Sequence, residues 1–211
     1  MSEHAVFAKF TNEETPDKIE STKERIITAA TEVFVGYGCY RRTSTAEVSK
    51  ACNVAKPTLF YHFASKQELA LAVIHRVHRH CRDMIFNVLD DHNLSPQEKM
   101  EIFADNFRKF YIDNIGSKAI IFLGVELSSV AGLFKTPINN YFEEWYSVIN
   151  RVLSLFCEEK DATVVAKRSL DRIVGALLLS RIHDNKIYAE RMCSDIVEQW
   201  LELSTQNGDG S

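Results

Sequence analysis

The feature that most constrains the fold of this chain is a serine followed three residues later by a glutamate, which occurs four times in its first half. In this capping box each side chain accepts a hydrogen bond from a backbone amide at the start of a helix. The pairs are Ser21/Glu24, Ser44/Glu47, Ser65/Glu68 and Ser95/Glu98. Apolar residues recur at intervals of three and four, and no segment alternates convincingly as a strand would. The sequence therefore predicts an all-α protein of about nine helices.

The two ends of the chain differ in composition from its middle. Residues 1–20 are polar and acid-rich, and residues 206–211 form a Gly/Asp/Ser tail, so we expect both to be disordered. Five cysteines, an odd number without a C-x-x-C pair, indicate a reducing compartment rather than a disulfide framework. The longest apolar run, residues 119–125, is too short to cross a bilayer. We therefore expect a soluble, cytoplasmic protein.

Charge is distributed unevenly along the chain. The net charge of −4 at pH 7 argues by itself against nucleic-acid binding, because that binding depends on Lys and Arg meeting phosphates. Residues 21–66, however, contain seven basic and three acidic residues, so this segment carries +4 and the remainder carries −8. A basic N-terminal module on an acidic body is the asymmetry expected when only one end of a protein faces DNA.

Residues 44–63 have the pattern of a helix-turn-helix, two short helices joined by a tight turn. Asn53 tolerates the left-handed backbone that this turn requires. Val48, Leu59 and Phe63 are the expected core contacts of the two helices. The second helix then directs hydrogen-bond donors outward, where they can reach phosphates and base edges. These outward residues are Lys56, Thr58, Tyr61 and His62.

The segments TKERIITAATEVF (residues 22–34) and LFYHFASKQEL (residues 59–69) resemble the DNA-binding domain of TetR-family transcriptional regulators. The resemblance implies a helix-turn-helix DNA-binding domain over residues 21–66 and a helical effector-binding and dimerisation domain over residues 67–205. It also implies operator DNA, a second copy of the chain and a small effector as partners. Ala55 replaces the serine that commonly caps the recognition helix, which should cost about 1 kcal/mol, and Pro57 replaces a frequent glycine.

The predicted DNA-binding residues divide by role. His62 and Lys66 are expected to contact phosphates, and Lys66 lies in a first helical turn, where the amides and the dipole attract anions. Lys56 and Thr58 are expected to contribute to specificity. The alternatives are ring packing for His62 and plain solvation for Lys66, while Arg41 and Arg42 are equally compatible with surface charge. The complete predicted set is Thr45, Lys56, Pro57, Thr58, Tyr61, His62 and Lys66.

The body is predicted to hold an effector pocket walled by aromatic side chains, with Glu126 as its polar anchor. Ring faces and a carboxylate both suit a largely apolar or cationic ligand. The alternatives are that the rings are core residues and that Glu126 faces solvent. The predicted pocket residues are Phe103, Phe107, Phe110, Tyr111, Phe122, Glu126 and Trp145. The long fourth helix, which begins near Lys66, is the expected transmitter to the DNA-binding domain.

The last two long helices are predicted to form a homodimer through a four-helix bundle. Their segment IVGALLLSR (residues 173–181) loosely resembles the dimerisation region of some TetR-family members, and Gly175 and Ala176 allow close approach. The predicted interface residues are Ala166, Leu170, Ile173, Leu177, Ile196, Trp200 and Leu203. Such a dimer would read a palindrome whose half-sites lie about 34–36 Å, or a multiple of that distance, apart.

Other functions receive less support from the sequence. His75, His78, His80 and Cys81 have the helical spacing of a metal site, but the interleaved arginines favour an exposed basic face, so no metal or other cofactor is predicted. The motifs of phosphate loops, nucleophile elbows and zinc proteases do not occur, so we predict no enzyme. A helix-turn-helix protein that organises DNA or acts with a protein partner, without an effector, is the main alternative to a ligand-responsive repressor.

Overall fold

Every regular element in the part of the chain that the structure describes is helical, which confirms the predicted fold class. The structure is a computed structural model and describes residues 21–36, 40–113, 120–121, 123–124, 126 and 132–206. The helices are α1 (Thr22–Gly36), α2 (Thr45–Ala51), α3 (Lys56–His62), α4 (Lys66–Met84), α5 (Pro96–Asp113), α6 (Gly132–Leu153), α7 (Glu159–Ile182) and α8 (Ile187–Gln206), with a 3-10 helix at Phe86–Asp90. Residues 120, 121, 123, 124 and 126 are also helical, within the helix predicted there.

The N-terminal module consists of α1 to α3 and the start of α4. Ser44 and Glu47 form the complete capping box predicted for α2. Asn53 has a φ of 51°, the left-handed conformation predicted for the turn between α2 and α3. The guanidinium of Arg25 on α1 donates to the carbonyl of Cys52 at 2.8 Å and so fixes this turn against α1. At the start of α3, Ala55 provides no side-chain hydrogen bond, as its sequence predicts.

The body is a bundle in which α5 packs along α8 and α7 packs against both α6 and α8. Its interior is aromatic, and the indoles of Trp145 and Trp200 are fully buried. Trp200 donates from Nε1 to the buried hydroxyl of Ser169 at 3.2 Å, which joins α8 to α7. The helices of the body therefore bury most of their large apolar residues within one chain.

Helix α4 connects the module to the body. It packs against α1 at one side and against α6 at the other. Arg76 of α4 donates to the hydroxyl of Thr28 and to the carbonyl of Glu24, both on α1. Hydrogen bonds of this kind fix the orientation of α4 relative to the module, so a displacement of α4 would be transmitted to it.

Candidate functional site

Helix α3 presents an exposed polar face. Its only fully buried side chain is Leu59, which anchors it to the module, whereas Lys56, Pro57 and Thr58 are exposed. Tyr61 is 85% exposed, an extreme value for a ring of this size. Because an exposed aromatic side chain costs hydration free energy without contributing to the core, this surface is suited to binding rather than to packing.

Two other predicted contacts flank this face. Thr45 is half-buried in the first turn of α2, and His62 is half-buried at the end of α3. The His62 ring lies edge-on to Tyr61, with centroids 5.2 Å apart. Both readings of His62 are compatible with this geometry, since packing of one ring edge leaves a nitrogen able to donate. Its phosphate contact stays a prediction.

Phe60 belongs to the exposed face but was not among the predicted residues. Its side chain is 41% exposed, and its ring lies 5.9 Å from the ammonium of Lys56. This cation–π contact restricts the Lys56 side chain to the outer surface of α3. The signal in the sequence was the position of Phe60 next to the buried Leu59, which turns it away from the core.

Lys66 occupies a different environment from the one predicted. Its side chain is half-buried, its ammonium donates to the carbonyl of Tyr40, and it lies 4.1 Å from the centre of the Tyr40 ring. A phosphate would have to compete with these contacts for the same charge. The phosphate contact of Lys66 therefore stays a prediction, and the structure adds a second role, which is to join the start of α4 to the loop before α2.

Tyr40 is the centre of the contact between module and body. Its buried ring meets Phe34 of α1 at 5.5 Å and Phe134 of α6 at 6.2 Å. Burial raises the pKa of its hydroxyl, so the ring remains neutral. The neighbouring amide of Arg41 donates to Glu126 Oε2 at 3.3 Å. Glu126 therefore contacts the module, and its role as the anchor of an aromatic pocket stays a prediction.

The predicted pocket aromatics pack against one another. Phe107 and Tyr111 lie 4.9 Å apart between centroids, and Tyr111 lies 5.5 Å from Trp145. Phe103 and Phe110 are also fully buried, and each meets a tryptophan of this core. Phe122 lies outside the residues whose side chains the structure describes. These rings are therefore core residues in this conformation, and their role in an effector pocket stays a prediction.

Two polar atoms inside this core form no hydrogen bond of good geometry in the described part of the protein, and their polar neighbours are Tyr111, Cys81 and each other. The two atoms are Tyr141 Oη and Trp145 Nε1, and both residues are fully buried. A buried polar group without a partner costs about 1–3 kcal/mol. The pKa of the neighbouring Cys81 thiol is raised well above its usual value by burial, so the group is not a reactive thiolate. Tyr141 was missed because its helical spacing is indistinguishable from that of an ordinary core residue.

The predicted dimerisation residues include several that cannot contact another chain. Five of them have at most 1% exposure within a single protomer, namely Ala166, Ile173, Leu177, Ile196 and Trp200. Their apolar periodicity marks the faces that join α7 and α8 to the rest of the body, so their assignment to the interface is wrong. Leu170 and Leu203 are half-buried and remain available.

The outward side of α7 carries a different set of apolar residues. Val174 and Leu178 are half-buried, and Leu179 and Ile182 are 43% and 73% exposed. A β-carbon added to Gly175 would meet no atom within 4 Å. This side of α7 is therefore both apolar and open.

The four residues weighed as a metal site diverge in the structure. Cys81 faces the core, and His80 lies 6.3 Å from the Phe110 ring, whereas His75 and His78 line a crevice between α4 and α6. Within the described ranges, no group of three or more His, Cys, Asp or Glu side chains could hold a metal ion. Nor is any helix of these ranges long and apolar enough to span a membrane.

Comparison with known proteins agrees with this geometry. The family model for bacterial regulatory proteins of the tetR family matches residues 26–73, which span the module and the first half of α4. An uncharacterized HTH-type transcriptional regulator of Lactococcus lactis is 26% identical over 173 residues, 78% of this chain and 85% of that protein. The HTH-type transcriptional repressor DhaR of a Mycobacterium species is 21% identical over 197 residues, 88% of this chain and 94% of that protein.

Solved structures share the fold over both parts of the chain. A TetR transcriptional regulator from Legionella pneumophila superimposes with a TM-score of 0.73 at 22% identity, covering 87% of this chain and 99% of that one. AibR, solved in complex with isovaleryl coenzyme A and operator DNA, gives a TM-score of 0.62 at 19% identity and covers 85% and 97% of the two chains.

Proposed function

Because this chain belongs to the TetR family of DNA-binding transcriptional regulators, which are not enzymes, we propose that it is a dimeric repressor released from a palindromic operator by a small effector. The observation that carries this proposal is the exposed face of α3. Lys56, Thr58 and Tyr61 project from a short helix that only Leu59 anchors, and a surface of donors and one ring is suited to the major groove.

An effector is proposed to bind where the body buries unpaired polar atoms. A ligand that hydrogen-bonds to Tyr141 Oη or Trp145 Nε1 would remove the cost of leaving these groups unpaired. The surrounding rings suit a largely apolar ligand, and Phe107 and Tyr111 would have to move apart to admit it. AibR is a precedent of the same fold that was solved with an acyl coenzyme A and operator DNA.

Release from DNA requires the ligand to favour one conformation. A ligand with equal affinity for the DNA-bound and DNA-free arrangements would shift nothing. Helix α4 is the proposed transmitter, because Cys81 lies in the aromatic core while Arg76 and Lys66 hold α1 and Tyr40. A ligand that displaces α4 would therefore change the placement of the module.

The proposed dimer forms through the outward side of α7 together with α8. Leu170, Val174 and Leu178 recur at intervals of four and form one stripe on α7, and α8 contributes the half-buried Leu203. Burying a contiguous apolar stripe of this kind is the usual driving force for a four-helix interface. The two-fold axis would then place two α3 helices on the half-sites of a palindrome.

DNA binding is tested by fluorescence anisotropy with a duplex from the region upstream of the protein's own gene. Thr58→Ala should weaken operator binding about tenfold or more if Thr58 contacts a base edge. Lys66→Ala should reduce the salt slope by about one if its ammonium contacts a phosphate. The exposed Lys186→Ala, in the loop after α7, is the matched control. Unchanged operator affinity in Thr58→Ala would remove this residue from the interface.

The effector is tested by repeating the measurement with a metabolite panel. A compound that releases wild-type protein should act on Tyr141→Phe only at a raised concentration, since the variant lacks the hydroxyl. Release at the same concentration would contradict the proposed anchor. If no compound released the protein, the effector-independent regulator would be the better interpretation.

The dimer is tested by Gly175→Leu. Its β-carbon would meet open space in one protomer, and replacing a helical glycine should stabilise α7 by about 0.5–1 kcal/mol. Across the proposed two-fold axis the same side chain would obstruct close approach, so light scattering should show monomers. Gly132→Leu, whose added β-carbon also meets open space, should remain dimeric. A dimer of unchanged affinity in Gly175→Leu would place the interface elsewhere.

A further inference from the structure

A crevice of about 250 Å³ separates the middle of α4 from the first half of α6. It is lined by His75, His78, Arg79, Arg82, Pro137 and Asn140. The residues from α4 follow the helical spacing of one face, and those from α6 lie opposite them. Its volume is below the range of about 300–1,000 Å³ that is typical for drug-sized ligands, so it fits a small molecule.

Two residues that line the crevice, His78 and Arg82, are hydrogen-bonded to Glu144. Both oxygens of Glu144 accept hydrogen bonds from Arg82 at 2.6–2.8 Å, and Oε2 also accepts from His78 Nε2 at 2.5 Å. Burial raises the pKa of Glu144, but the hydrogen bonds from Arg82 and His78 outweigh it, so the carboxyl is held ionised below its usual range. The Glu144 carboxylate is therefore already neutralised by its partners.

Three other residues that line the crevice carry hydrogen-bond donors. His75, Arg79 and Asn140 have exposed side chains, and none forms a hydrogen bond or ion pair within the residues that the structure describes. Because the charges of Glu144 and Arg82 offset each other, the guanidinium of Arg79 gives the crevice a net positive charge. A guanidinium, an imidazole and an amide around one small cavity are donors that match the planar or tetrahedral oxygens of an anion.

We propose that this crevice binds a small oxyanion, the carboxylate or phosphate group of a metabolite, with Arg79 and His75 as its main ligands and Asn140 contributing from α6. The site lies on the outer surface of the body and borders the aromatic core proposed for the effector, because the His78 ring meets Tyr141 edge-on at 5.4 Å. An anion bound there would link α4 to α6 beside Arg76, which is hydrogen-bonded to α1. That regulatory consequence, unlike the binding itself, rests on the proposed function.

Isothermal titration calorimetry of the full chain, in chloride buffer of constant ionic strength, tests the binding. Inorganic phosphate and succinate are titrated separately, and the anion that saturates the protein identifies which group the crevice prefers. Arg79→Gln and His75→Gln should each weaken that binding, Arg79→Gln by about tenfold or more, because a charged hydrogen bond is lost. Arg191→Gln, an exposed arginine of α8, should bind as the wild type does.

Two results would overturn the proposal. One is the absence of saturable binding of either anion, and the other is an equal loss in Arg191→Gln and Arg79→Gln, which would indicate general charge screening. Operator affinity of Arg79→Gln without added anion is measured in parallel. Normal operator binding there would leave the proposed repressor function standing even if the anion site failed.

Discussion

The N-terminal module and the body use their aromatic side chains in opposite ways. In the module, Tyr61 is 85% exposed and Phe60 is 41% exposed on a helix of seven residues. In the body, Trp145 and Tyr141 are fully buried among other rings. The difference indicates that an aromatic residue of α3 contributes little to stability and is exposed for the proposed recognition of DNA. An aromatic residue of the body contributes mainly to stability, and its proposed contact with a ligand depends on the polar atom that it carries.

Substitution of Trp145 should give the largest effect on stability. Trp145→Ala removes a fully buried indole that contacts Phe86 and Phe107, and it should lower the free energy of unfolding by about 3–5 kcal/mol. Urea denaturation followed by circular dichroism measures it. Trp145→Phe is the informative control, because it retains a ring while removing the unpaired Nε1 group, and it should cost much less. Equal losses in the two variants would show that the indole nitrogen matters more than the packing.

Substitution of Tyr61 should show the reverse pattern. Tyr61→Ala should change the free energy of unfolding by no more than about 0.5 kcal/mol, since the ring is mostly in solvent. Operator affinity should nevertheless fall by about 1–2 kcal/mol, or roughly tenfold, because a contact with DNA is lost. Anisotropy titration and urea denaturation of the same preparation separate the two effects. A variant that lost stability but not affinity would break the contrast between module and body.

The same contrast explains which parts of the molecule were predictable. The capping box at Ser44 and the turn at Asn53 are set by neighbouring residues, so the sequence reveals them directly. Glu126 finds its partner 85 residues away, at the backbone amide of Arg41, and no local pattern encodes that contact. The sequence therefore suggested a pocket anchor for this acid in an apolar segment, and it gave no indication that the acid also connects two parts of the fold.

Five residues were wrongly assigned to the dimer interface for a related reason. Helical periodicity identifies an apolar face, such as the one with Ala166, Ile173 and Leu177, but not whether it is covered by the same chain or by another. A long helix in a bundle that also dimerises has two such faces. Only the packing of α7 against α6 and α8 distinguishes the inner face from the outer stripe with Val174 and Leu178.

The start of α3 offers a smaller test of the idea that the module favours recognition over stability. Ala55→Ser would supply the missing side-chain cap and should stabilise the module by about 0.5–1 kcal/mol. If α3 becomes ordered only on DNA, the same substitution should also tighten operator binding, because less ordering remains to be done. Hydrogen exchange of the α3 amides in the free protein measures the first effect. Unaltered exchange in the variant would mean that Pro57 and the surrounding core already order the helix.

The smallest expected effect concerns a histidine that the body buries. Desolvation lowers the pKa of His78 below its usual 6.5, although the hydrogen bond to Glu144 opposes this shift. In the unfolded chain His78 takes up a proton near pH 6.5, whereas in the folded chain it takes one up only at a lower pH. Below pH 6.5 the unfolded state therefore binds more protons than the folded state, which favours unfolding. Stability from this group is therefore fully present above pH 6.5 and decreases below it until the folded state also protonates. Because one group binds at most one proton, it can change the free energy of unfolding by no more than about 1.4 kcal/mol per pH unit.

His80 should change the stability in the same direction, since burial lowers its pKa too. Urea denaturation between pH 7.5 and about 5 should thus show a shallower decline in His78→Gln than in the wild type, and shallower still when His80→Gln is added. An identical decline in all three proteins would mean that the body tolerates a charged imidazole at this position and that its polar interior is more accessible to water than the packing of Tyr141 and Trp145 indicates.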